Sequence, residues 1–349
     1  MSSIETLKAL PEKFAVRLDN HMLITLEGEQ ADSYLQGQIT VNVNKLTADH
    51  ARHYAHCDNK GKTWSVGYVA RFNSKIAMIT NKASGAHSLA QLNKYGVFSK
   101  ADIIDESNAH TLWFVSSNTV GDALSHFPPS VVAQEDIDRL ATASEPSEQG
   151  TSLESFANDS LLALQTGFKH GGVVLVLTEA VAEQVQANLN QHSVPQLEAS
   201  TFDALQIESV HPALSESAVA EYVPQMINVQ ALNGIDFDKG CYMGQEVVAR
   251  TRFLGKNKRA AYSFTLPMRG DVKAGDSLEK QLSDNWRVAG KIISVATLGK
   301  ETHFIAVLTN DTTPEDLHRL ADQTDVTCYP NALPYNIEQK ASNIVKKRR

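Results

Sequence analysis

The sequence predicts an α+β protein that ends in a small, mainly β module. Three observations lead there. Short runs of strand formers, closed by Gly, Asp or Asn, recur through the first two thirds. A few segments between them repeat apolar residues at helical spacing, and after Gly255 that spacing gives way to closely set strand runs. Residues 22–27 predict the first strand, which Gly28 ends, and 29–36 a short helix broken at Gly37. Ile39-Thr40-Val41 opens another extended segment. Further strands are expected at 51–54, 65–72 and 75–80, with Asp58-Asn59-Lys60-Gly61 as a turn between two of them.

Leu89, Leu92 and Tyr95, three residues apart, predict a helix over about 85–95, and residues 112–116 a strand. The composition shifts over 133–156, which includes the run 143–150 and has little continuous hydrophobicity; it reads as a loop or weakly ordered connection. Residues 173–177 predict a buried strand and 179–191 a helix, while 204–209 opens either a helix or a strand. Beyond Gly255, strands are expected at 259–266, 276–280, 287–298 and 302–308, a module of roughly 75 residues. Lys346-Lys347-Arg348-Arg349 reads as an exposed basic tail.

A chain of 349 residues is long enough for two or three domains and a substantial core. Its 32 Lys and Arg against 40 Asp and Glu leave a formal charge of -8, so the molecule as a whole does not attract nucleic acid; a polyanion would need a local patch. Cys57, Cys241 and Cys328 are odd in number and far apart, which excludes a disulfide scaffold, a zinc framework and a four-cysteine cluster within one chain. No apolar secretory core stands in residues 1–13, and the longest aliphatic run, 173–177, is far too short to span a bilayer. A cytoplasmic protein with no membrane partner and no stable metal is expected. P-loop, GxSxG and GxGxxG motifs are missing.

The sharpest local feature is Lys239-Gly240-Cys241-Tyr242-Met243-Gly244-Gln245-Glu246. Gly240 and Gly244 allow backbone geometry closed to most residues and close approach of a ligand. Glu246 and Arg250 can pair at i,i+4 as a helix begins. Cys241, near that helix start and beside Lys239, supports two readings of equal weight: a reactive or metal-ligating thiol, or a small buried hydrophobe. Cys57 and Cys328 read as structural. Lys239, Arg250, Arg252, Lys256, Lys258 and Arg259 form a basic stretch that could hold an anionic ligand tail or RNA, or merely be a solvated face. Asp236 and Asp238 read as surface or capping residues.

This octapeptide closely resembles the signature of the YgfZ family, folate-binding relatives of the glycine-cleavage aminomethyltransferase. Tyr34-Leu35-Gln36-Gly37-Gln38-Ile39-Thr40, His56-Cys57-Asp58-Asn59-Lys60-Gly61-Lys62 and Asn228-Val229-Gln230-Ala231-Leu232-Asn233-Gly234-Ile235 agree with it, and the resemblance covers essentially the whole chain, matching least well around 125–160. It implies a three-domain, aminomethyltransferase-like α+β fold around a central cavity with a C-terminal β-barrel. The expected divisions are 1–125, 126–255 (interleaved with the first and carrying the signature), 256–335 and a tail at 336–349. The resemblance further implies tetrahydrofolate or a derivative as cofactor and a role supporting iron–sulfur enzymes, among them one that methylthiolates tRNA. The link to tRNA would be indirect, and no classical enzyme activity is implied. Cys241 matches the family's functional cysteine, with Lys239, Gly240, Tyr242, Gly244, Gln245 and Glu246 as its surround. Where the family tends to place two tryptophans beside the folate, this chain has His21 and Phe202. Two alternatives are folate-dependent aminomethyl transfer and direct tRNA binding by the basic stretch.

Overall fold

The strand-forming runs pair into two sheets. In the computed structural model, residues 2–142, 153–253 and 257–337 are described; the run 143–150, Lys256 and the basic tail lie outside them. The strands of the first sheet are β1 (Ala15–Arg17), β2 (His21–Glu27), β3 (His50–Cys57), β4 (Thr63–Phe72), β5 (Lys75–Asn81), β6 (Asp102–Asp105), β7 (His110–Val115), β8 (Leu153–Ala157), β9 (Leu161–Gln165), β10 (Val173–Thr178) and β11 (Gln196–Leu197). Their order is β11-β1-β7-β10-β9-β8-β3-β4-β5-β2-β6, antiparallel at every pair except β1 with β11. The N-terminal strand is thus inserted among strands from the middle of the chain. Phe114 on β7 faces Val16 on one side and Val174 on the other.

Among the described residues seven α-helices accompany the sheets: α1 (Ala31–Gln36), α2 (Lys82–Gly96), α3 (Val120–Ala123), α4 (Gln134–Ala141), α5 (Glu179–Gln191), α6 (Ala199–Glu208) and α7 (Gln245–Phe253). The expected helix at 179–191 is α5. The segment at 204–209 resolves as the second half of α6, where Thr201, Phe202, Ala204, Leu205, Gln206 and Ile207 are all buried. Its ambiguity has a physical cause: a helix enclosed on nearly all sides has no polar face to mark the period of 3.6. α6 lies between the large sheet and the C-terminal module, in one core cluster with Phe114 and with Ile293 and Ile305.

The expected connection over 133–156 needs correction. Its start is α4 and its end is β8. Ile137 and Leu140, spaced i,i+3, are buried, and Gln165 on β9 holds the end of α4 by donating Nε2 to the carbonyls of Leu140 (3.2 Å) and Thr142 (2.6 Å). Two apolar residues suffice for a helix when a neighbouring strand supplies the rest of its contacts.

The C-terminal module is a six-stranded antiparallel sheet of β12 (Arg259–Leu266), β13 (Ser277–Leu282), β14 (Asn285–Leu298), β15 (Glu301–Thr309), β16 (His318–Leu320) and β17 (Gln323–Cys328), in the order β12-β15-β14-β13-β16-β17. A bridge between Phe264 and Pro330 returns the chain beyond β17 to β12, which makes the sheet barrel-like. Phe264 and Phe304 stack inside it, 4.9 Å apart. Among the described residues no helix is long and apolar enough to cross a membrane.

Candidate functional site

The octapeptide that carries Cys241 is held against two distant segments. Lys239 Nζ donates to the carbonyls of Gln36 (2.7 Å), Ile39 (2.7 Å) and Val41 (2.8 Å), so each ammonium proton has its own acceptor in the loop after α1. Burial pulls this group down to about 8, with Asp236 opposing. The three carbonyls require the full ammonium, so the charge is retained at neutral pH. Met243 N–H donates to Gly37 O at 3.0 Å, and Gln245 Oε1 accepts from Tyr242 N–H at 3.2 Å. Tyr242 lies under Lys239, 4.9 Å from Nζ to the ring centre. Burial, then the neighbouring Cys57 and Asp236, push its phenol up.

The two glycines of the loop differ. Gly244 has φ +81°, and a Cβ there would stand 2.4 Å from Asp58 O, so only glycine lets the loop seat on the 58–61 turn. Asp58 shapes that turn by accepting from the backbone N–H groups of Lys60 (2.8 Å) and Lys62 (2.7 Å). Gly240 has open space around its missing Cβ and no positive φ. The segments His56–Lys62 and Lys239–Glu246, far apart in sequence, therefore form one packed unit. Cys241 is exposed on it, and the reading of Cys241 as a buried hydrophobe does not hold. Cys57 and Cys328 are buried, and burial pushes both thiols up.

Among the described residues of the basic stretch, Lys258 is exposed and four others are engaged. Lys239 is taken by carbonyls, Arg250 pairs with Glu246, Arg259 Nη1 donates to Ala289 O at 3.2 Å, and Arg252 lies 4.0 Å above the Phe237 ring. Asp236, expected as a surface or capping residue, accepts from Asn42 N–H and is paired with Arg52 at 3.0 Å, half-buried; Asp238 is exposed.

A second site lies where the large sheet meets the barrel. A cleft of about 340 Å³ is lined by Asn20 before β2, Asn81 at the end of β5, Asp203 and Gln206 on α6, Ser215, Lys273, and Ser294 on β14. That volume is within the range of small-molecule sites. Asp203 is half-buried at the cleft, and desolvation there raises its carboxyl to about 6 against the lowering effect of Asn20. Asn20 Nδ2 donates to both of its oxygens (3.1 and 3.0 Å), and no cation pairs with it among the described residues. Ser294 Oγ is buried without a hydrogen-bond partner. Each carboxylate oxygen keeps spare acceptor capacity, and Ser294 keeps all of its own.

His21 and Phe202, adjacent in sequence to Asn20 and Asp203, meet edge to face with ring centres 5.0 Å apart. Both are buried, and neither lines the cleft. His21 Nδ1 is 2.8 Å from Asn20 Oδ1, and burial lowers its pKa to about 4, with Lys82 adding to the effect. Phe202 also packs on Phe114 and Phe168. The pair thus backs the Asn20–Asp203 contact from the core side. Sequence reasoning did not pick out Asp203, Asn20 or Ser294, and no local pattern marks them; only burial and convergence do.

Comparison with known proteins agrees with the barrel. Residues 257–323 match the family described as "YgfZ, beta-barrel domain". The chain is 34% identical over 337 residues to a "tRNA-modifying protein YgfZ" of Colwellia psychrerythraea, covering 96% of this chain and 97% of that protein. It is 33% identical to the protein of the same description from Vibrio vulnificus strain YJ016, over 95% of each chain, and 31% identical to that of Escherichia coli O157:H7, over 92% of this chain and 93% of that one. In fold it resembles the glycine cleavage system aminomethyltransferase T of Bartonella henselae, with a TM-score of 0.66 at 13% identity, covering 94% of this chain and 87% of that one. With an aminomethyltransferase-like body, a C-terminal barrel and near full-length identity above 30%, this chain belongs to the YgfZ family.

Proposed function

We propose that the protein binds a reduced folate, tetrahydrofolate or a derivative, in the cleft beside Asp203. It acts as an accessory factor for iron–sulfur enzymes and, through them, supports tRNA modification by methylthiolation. The observation that carries the ligand is the half-buried Asp203 carboxyl, which lines a ligand-sized cleft with no cation paired to it among the described residues and with the unpartnered Ser294 Oγ in the same lining. The pterin edge presents two adjacent N–H donors, an amide and an amino group, which complement a carboxylate's two oxygens. Asn20 orients Asp203, and His21 and Phe202 keep that pair in place from behind. A bound reduced folate would supply a one-carbon carrier. The protein's own residues bind and orient it, with the ionised Asp203 carboxylate accepting from its head group.

The relatives' description as tRNA-modifying proteins supports the tRNA link. Cys241 is exposed and outside the cleft, so its part is to meet a client enzyme or a labile cluster rather than the folate. Lys239, Gly244, Gln245 and Tyr242 fix the loop that displays it, while Gly240 and Glu246 flank the thiol at the surface. A second reading, aminomethyl transfer on the folate, draws on the same carboxyl, since a group near 6 can exchange protons at neutral pH.

Titration of the full-length protein with tetrahydrofolate tests the ligand. Saturable binding is expected, weakened about tenfold or more in Asp203→Asn, on the scale of a charge-assisted bidentate contact. No saturable binding of any reduced folate would end this reading. Cys241→Ala should bind folate as wild type does while cells carrying it lose tRNA methylthiolation; normal methylthiolation would remove the thiol's role. Turnover of an aminomethyl donor, abolished by Asp203→Asn, would move the assignment to transferase.

A further inference from the structure

The charge of this acidic chain is unevenly spread. Between Asp58 and Asp102 there is no Asp or Glu, although the chain carries 40 of them. Of the cations in that interval, Arg71, Lys75 and Lys100 are paired with Asp32, Glu106 and Glu29. Lys62 gives its Nζ to the carbonyl of Glu221 at 2.6 Å. Lys60, Lys82 and Lys94 meet no carboxylate among the described residues, and all three are exposed.

The same interval ends in an unusual apolar tip. Phe98 is 98% exposed, Val97 68% and Tyr95 45%, just where α2 stops. Lys94 Nζ lies 5.5 Å from the Tyr95 ring centre. Trp64, which follows the 58–61 turn, stacks on Tyr95 at 6.3 Å with 20° between the planes and meets His87 of α2 at 5.7 Å. Turn and helix are thereby joined into one surface. At its other end the turn seats the Cys241 loop, since Gly61 packs against Gly244 and Val247.

We infer that this face docks a single-stranded segment of RNA, with unpaired bases stacking on Phe98 and Tyr95 and phosphates following Lys60 and Lys94. The freely exposed Phe98 ring and the partly exposed Tyr95 ring, beside a helix that carries lysines and no acidic residue, match a polyanion that carries π surfaces. α2 is about 22 Å long, enough to follow several nucleotides. This face includes the 58–61 turn on which the Cys241 loop is seated. The inference goes beyond the folate reading and uses no residue of the cleft; folate titration of the same variants keeps the two separable.

The test is fluorescence anisotropy of the full-length protein with two labelled probes, a short single-stranded RNA and an unmodified tRNA transcript, from about 50 to about 200 mM salt. Wild type should bind both, more weakly as salt rises. Phe98→Ala should weaken binding about tenfold, the scale of one lost base–aromatic stack. Lys94→Glu should weaken it and flatten the salt dependence, and Arg252→Ala should leave it unchanged. Phe98 is almost wholly exposed, so an unchanged unfolding midpoint will show that its variant is folded. Absence of binding at the lowest salt overturns the inference. So does binding that depends on Arg252 but not on Phe98 or Lys94, and so does Phe98-dependent capture by phosphatidylserine vesicles without RNA binding.

Discussion

In the Cys241 loop the strongest donor, Lys239, has an acceptor for each of its three protons, and the thiol stands outside this network, exposed. In the cleft the pattern is reversed: half-buried Asp203 has the Asn20 amide as donor but no paired cation, and Ser294 Oγ has no partner. A saturated network holds a shape, whereas an unsaturated buried one keeps bonding capacity for something that enters. The difference separates a rigid mount, which presents a side chain to a partner, from a receptor, which waits for a ligand. Both arise where segments far apart in sequence converge.

The glycines of the loop give the sharpest way to break this comparison. Gly244→Ala adds a Cβ into Asp58 O at a φ of +81° and should cost roughly 4 kcal/mol, by clash and left-handed strain together. Gly240→Ala, with nothing near its Cβ, should stay within about 0.5 kcal/mol. Urea unfolding of the two variants reads the contrast directly, and equal effects would mean that the loop is not seated on the 58–61 turn.

The cleft makes a prediction of the opposite sign. The folded pKa of Asp203, about 6, lies above its ordinary value of 3.8, so folding favours the protonated form. That contribution is complete below about pH 4 and is lost as the pH rises through about 6. Asp203→Asn should therefore stabilise the protein by about 3 kcal/mol at neutral pH and by almost nothing near pH 4. Unfolding curves at the two pH values check this. A pH-independent effect would show that the carboxyl is not strained by burial.

Lys239→Met is expected to have a smaller effect, about 2 kcal/mol, because three carbonyls lose a charged donor but the half-buried loop admits water in its place. Faster amide exchange confined to the 36–41 and 239–244 segments, with little change elsewhere, would place the loss in the mount. Global destabilisation would spread it through the core.

Much of the fold was legible in the chain because its signals are local. Helix α5 and strand β10 match their expected spans almost residue for residue, as periodicity and a run of aliphatic residues dictate. Four of the six barrel strands were legible for the same reason, whereas β16 and β17, short and polar, were not. Helix α4 was missed because two buried residues make a weak period, and α6 was ambiguous because burial on all sides removes the polar face. In the candidate sites, Cys241 stood out by its glycines and neighbours, whereas Asp203 looks like any polar residue of a short helix.

By itself, then, the sequence determined the α+β class, most helices and strands, the β module after Gly255, and the octapeptide that identifies the family. Those depend on residues within a few positions of one another. Tertiary structure alone decided that Lys239 spends its three protons on carbonyls about 200 positions away. It also decided that Asp203 loses water without gaining a paired cation, and that Trp64 joins the 58–61 turn to α2, with Phe98 exposed just beyond the helix. Burial and hydrogen-bond satisfaction belong to the assembled packing, and no local pattern records which distant groups will meet.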